Sequence, residues 1–78
     1  MIVKRLVTFI SQYGEVEIAY EDNKVVVFFT KKQRLRLGQA EAEKIMQEYV
    51  DYLGENVEVG DAFEFVEGFW TAQVFDAE

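Results

Sequence analysis

Apolar residues in this chain recur in short patterned blocks. Single glycines at 14, 38, 54, 60 and 68 separate the blocks without interrupting any of them. Glycine loses the most backbone entropy on ordering and is favoured at caps and turns, so this punctuation confines the fold to short elements joined by tight connections.

The clearest block spans 39–53. Ala42, Ile45, Met46, Tyr49, Val50, Tyr52 and Leu53 recur at helical spacing, with Glu41, Lys44, Glu48 and Asp51 opposite and Glu55 prolonging that row. Gly38 and Gly54 bracket the block, as expected for a helix. In segment 2–13, seven apolar residues from Ile2 to Tyr13 fall within an arc of roughly 160° at 100° per residue. A strand there would mix Ile2, Lys4, Leu6, Thr8 and Ile10 on one face. Its β-branched content favours a strand, but the spacing predicts a helix over 2–13.

Two hairpins are also expected. Residues 15–20 alternate and Val25-Val26-Val27-Phe28-Phe29 is strongly β-prone, with Asp22-Asn23 between them as a two-residue turn. That register pairs Ile18 with Val27 and Val16 with Phe29, and turns Val26 and Phe28 to the other side. A third strand is expected at 33–37 and a loop over 55–61. Near the C-terminus, 63–66 and 69–74 flank a turn at Glu67-Gly68, placing Phe63, Phe65, Trp70, Ala72 and Val74 on one face. Val66, Phe69 and Phe75 then lie opposite; unless the helices cover both faces, Phe28, Val66 and Phe69 would form an exposed apolar patch. The predicted fold class is α+β, a single domain over 1–78 in the order α-β-β-(β)-α-β-β, with helices packed on one face of an antiparallel sheet. Many small domains share this order, so it carries little functional information.

Composition narrows the function. Half of the 78 residues are apolar and 15% are aromatic, which suits a folded core. A core of this size supplies only a few kcal/mol, so a homodimer is a reasonable expectation. Cysteine and histidine are absent, removing thiolate chemistry, zinc thiolate sites and the commonest general base. The only serine, Ser11, has no base near it in sequence, and no glycine-rich phosphate loop occurs. Glu21-Asp22-Asn23 lacks the alternating ligands of a calcium loop. No catalytic residue, metal site or cofactor is expected, and the chain is read as non-enzymatic. The apolar run at 6–10 is short and broken by Thr8, which is unlike a signal peptide; with no cysteine, a cytoplasmic location is expected.

Charge is divided unevenly. Residues 1–36 hold seven basic and four acidic side chains, whereas residues 37–78 hold one basic and eleven acidic, and the whole chain carries −7. On the helix, Glu41, Glu48, Asp51 and Glu55 fall within about 80° of arc. Such a face either solubilises the domain or imitates the phosphate row of a nucleic acid and engages a basic protein surface. With the aromatic pair Phe69 and Trp70 of the second hairpin, these residues form the expected protein-binding site, as in a small inhibitor or regulator. The partner is another protein, including a nucleic-acid-binding one, and no membrane is implicated. Lys31, Lys32, Arg34 and Arg36 form an alternative, a basic strand suited to phosphates, although the net charge opposes direct nucleic-acid binding. That strand meeting the acidic helix of a second copy is a third reading.

Overall fold

The computed structural model describes residues 6–22, 25–29 and 37–77. Strands β1 (Val7–Ser11), β2 (Gly14–Glu21) and β3 (Val25–Phe29) precede helix α1 (Gln39–Tyr52). Strands β4 (Val57–Val59), β5 (Phe63–Val66) and β6 (Phe69–Asp76) follow it. All pairings are antiparallel in one six-stranded sheet of order β1-β2-β3-β6-β4. The free side of β6 is divided: β5 pairs its first half and β4 its last residues. One helix packs on one face of this sheet, so the α+β class is met with a single helix among the described residues.

The helix expected over 2–13 is replaced, in its described part, by β1. Its apolar residues serve as a strand because Phe9 pairs with Val16 and Val7 with Ile18, which turns both toward α1. Ile10 is left on the other side, 69% exposed. The cyclic spacing was met by residues on both faces of a strand rather than one side of a helix. A tight turn at Gln12-Tyr13 closes the hairpin. The Tyr13 amide donates to Ser11 Oγ at 3.1 Å, and Ser11 Oγ donates to the Gly14 carbonyl at 2.7 Å. Gly14 has φ 122°, which side-chain-bearing residues rarely adopt.

The β2–β3 register differs from expectation by one residue. Ile18 pairs with Phe28, Tyr20 with Val26 and Glu21 with Val25, so the connection is longer than the Asp22-Asn23 turn foreseen. Because side chains alternate with a period of two, this slip exchanges the faces of β3. Val26 and Phe28 face the helix and are fully buried, which removes Phe28 from the exposed patch. The core joins Val16, Ile18, Val26, Phe28 and Ala72 of the sheet to Ala42, Ile45, Met46, Tyr49 and Val50 of α1. Each fully buried large side chain contributes about 1.5–3 kcal/mol by leaving water. The other face is not bare either, since Ala19, Val27 and Thr71 form a buried cross-strand row on it.

A second register change affects β5. Val66 pairs with Phe69 across the foreseen Glu67-Gly68 turn, but Glu64 pairs with Trp70 and Phe63 with Thr71. A bulge at Phe65 supplies the extra residue and moves Phe63 to the face of Thr71 and Phe69, away from Trp70. Residues 57–59 form β4 within the expected loop. The helix runs where its spacing placed it, but Tyr52 is 74% and Leu53 42% exposed, so neither belongs to its packed side. The third strand expected at 33–37 lies outside the described residues except for Leu37, which packs against the core.

Candidate protein-binding surface

The acidic residues of α1 are drawn partly into the fold. Glu41 accepts a hydrogen bond from the Gly38 amide at 2.9 Å, which satisfies one of the orphan donors at the helix start. Glu48 accepts from the Gln12 amide at 3.3 Å, tying α1 to the β1–β2 turn. Asp51 accepts from Gln47 Nε2 at 3.1 Å and is otherwise exposed. Glu55 lies just past the helix and is exposed. The solvent row is therefore concentrated at the C-terminal half of α1, with Glu41 committed to a cap.

The two aromatic candidates do not share a surface with each other. Trp70 pairs with Phe28 on the helix-covered face and packs against the core. Phe69 pairs with Phe29 on the opposite face, where the rings stack at 4.4 Å, and Phe65 meets Phe69 edge-on at 6.0 Å. Phe63 and Phe75 share that face and are 58% and 57% exposed. The basic candidates Lys31, Lys32, Arg34 and Arg36 lie outside the described residues.

A feature invisible in sequence lies between α1 and β1. A groove of about 680 Å³ runs between residues 7–10 of β1 and Glu48, Tyr49 and Tyr52 of α1. Three rings line its floor and wall: Phe9 contacts Tyr49 edge-on at 5.2 Å and Tyr52 at 5.7 Å, and the two tyrosines are 6.5 Å apart. Tyr49 and Tyr52 are three residues apart on the helix, which was legible, but Phe9 belonged to the segment read as helical. Burial, then the neighbouring Tyr52, raises the Tyr49 pKa above its ordinary value.

Polar groups also anchor β4. Gln47 Oε1 accepts from the Val59 amide and Gln47 Nε2 donates to the Val57 carbonyl, both at 2.9 Å. Glu43 Oε2 accepts from the Ala62 amide at 2.9 Å. At the same end, Tyr20 has its hydroxyl buried without a hydrogen-bond partner among the described residues. Its pKa is raised by burial and by the carboxylates of Glu55 and Asp76. Among the described residues no three carboxylates converge to hold a metal ion, and no helix is long and apolar enough to cross a membrane. Comparison with protein-family models, with curated proteins and with solved structures finds no match.

Proposed function

We propose that the chain is a non-enzymatic protein-binding domain, a small inhibitor or regulator whose acidic helix side engages a basic surface on a larger macromolecule. The observation that carries this reading is the charge imbalance around the C-terminal half of α1. Lys44 is the only cation of residues 37–78, which hold eleven of the chain's fifteen acidic side chains. Glu48, Asp51 and Glu55 there adjoin the exposed Tyr52 and Leu53, so charge for steering and apolar surface for contact occur together. A nucleic-acid-binding protein is the partner class best suited to such a surface, because its own site is basic.

The test is capture by the tagged protein from nuclease-treated lysate, with elution in steps of rising salt. A specific partner is expected to bind the wild type and to be lost by Asp51→Lys with Glu55→Lys, both exposed positions. A partner held equally by the reversed variant would remove the acidic side from consideration. A second reading, self-association, is supported by Phe63, Val66 and Phe75, each more than half exposed. It predicts a dimer by light scattering that Phe63→Lys dissolves.

A further inference from the structure

We propose that the edge of β1 left unpaired among the described residues accepts an extended basic peptide segment of another protein as an added strand, with its cationic side chains seated against Phe9, Tyr52 and Glu48. This rests on the acidic-side reading above and specifies the chemistry of the partner.

Strand addition needs a free row of backbone donors and acceptors. Among the described residues β1 pairs on one side only, with β2. Natural sheets blunt such edges with charge, proline, bulges or very short strands. β1 carries none of these: it reads Val-Thr-Phe-Ile-Ser over five residues, and it pairs with β2 without a register break. The opposite edge combines three safeguards that β1 lacks: charge, a bulge and a very short strand. β4 has three residues with Glu58 at its centre, β5 is bulged, and Gln47 occupies the backbone groups of Val57 and Val59.

The groove beside β1 follows this edge. Val7 and Phe9 belong to the helix-covered face and Thr8 and Ile10 to the other, and all four line it. A strand laid there would place alternate side chains toward Tyr49 and Tyr52, and the others beside Ile10. The helix-side lining offers aromatic rings and one carboxylate. A guanidinium or ammonium group stacks on such rings, and Glu48 adds opposite charge. A peptide of the same sign as the domain would face the groove carboxylate of Glu48 and the chain's net charge of −7. Charge complementarity thus selects a basic occupant.

The probe is a labelled, blocked hexapeptide alternating arginine and valine, with a glutamate–valine peptide as control, titrated into the intact protein by fluorescence anisotropy at low salt. Saturable binding of the basic peptide alone is expected, weakened about five- to tenfold by Tyr52→Ala and by Ile10→Lys. Amide hydrogen exchange should slow in residues 7–11 on binding. Tyr52 is largely exposed, so its loss leaves the fold intact, which circular dichroism checks. Absence of saturable binding, equal binding of the two peptides, protection confined to residues 63–75, or β1 amides already protected by a second copy would each overturn the inference. The broader reading fails separately. If a captured lysate partner survives Tyr52→Ala and Ile10→Lys yet is lost on reversing Asp51 and Glu55, the acidic side stands and the strand-edge site falls.

Discussion

One helix treats the two edges of the sheet in opposite ways. Toward β4, α1 sends Gln47, whose amide group completes the strand as a neighbouring backbone would, and Glu43, which holds the loop leading into β5. Toward β1 it presents Glu48, Tyr49 and Tyr52 across a groove, with a single 3.3 Å hydrogen bond to the Gln12 amide at the strand's end. The difference shows how a short chain can close one side of its sheet with side chains instead of backbone. Apolar surface on the other side is thereby left accessible, and stability and accessibility are handled by different turns of the same helix.

The comparison can be broken at its root by Ile45→Ala, which undocks the helix from both edges. A loss of about 2–5 kcal/mol is expected in urea unfolding, from lost burial plus the cavity left behind. Gln47→Leu keeps the volume but strands the Val59 amide and the Val57 carbonyl. It should cost about 1–3 kcal/mol, and exchange should accelerate in 57–59 while residues 7–11 are unaffected. That outcome would sharpen the contrast, whereas equal acceleration at both edges would erase it.

Glu41→Ala removes the hydrogen bond at the start of α1, far along the helix from the groove. A loss of about 1 kcal/mol is expected, with peptide binding at β1 unchanged. The smallest effect is on pH dependence. Tyr20 sits near the β4 end and Tyr49 beside β1, and both have pKa values raised above the ordinary 10.0. As pH climbs past that value the unfolded chain releases these protons first, so stability is steady below it and declines above it. Tyr20→Phe should soften this alkaline decline. At neutral pH it should change stability by less than about 1 kcal/mol, because the hydroxyl it deletes has no hydrogen-bond partner among the described residues. A steeper decline in that variant would contradict the assignment.

What the sequence made legible follows from how locally each element is determined. α1 was readable to within a residue at its C-terminal end because its amphipathic spacing and the flanking Gly38 and Gly54 lie within one continuous stretch. The Glu67-Gly68 turn was readable for the same reason, and Gly68 does adopt a positive φ of 86°. β4 was not, because its three residues are completed by a glutamine on the preceding helix. The one-residue slip between β2 and β3 and the bulge at Phe65 were invisible too. Each flips a face, and Val25 to Phe29 are all apolar, so both registers satisfied the pattern. Those two slips decided where Phe28 and Phe63 lie. Of the acidic candidates, Asp51 and Glu55 are exposed at and just past the end of α1, but nothing local announced that Glu41 would be used as a cap. Pairing Phe9 with Tyr49 and Tyr52 required knowing that β1 is a strand.

The ladder between β3 and β6 has a further consequence. Every other strand pairing among the described residues lies within residues 7–29 or within 57–76, and only this one, together with docking of α1, unites the two ends of the chain. Loop-closure entropy is therefore concentrated in a single late event, the meeting of a cationic N-terminal part with a strongly anionic C-terminal part. Long-range attraction speeds that encounter, and dissolved salt should slow folding more than it lowers final stability. The same seam makes the protein a natural split pair: fragments 1–36 and 37–78 carry opposite charge and complementary strands, and should recombine into the native sheet.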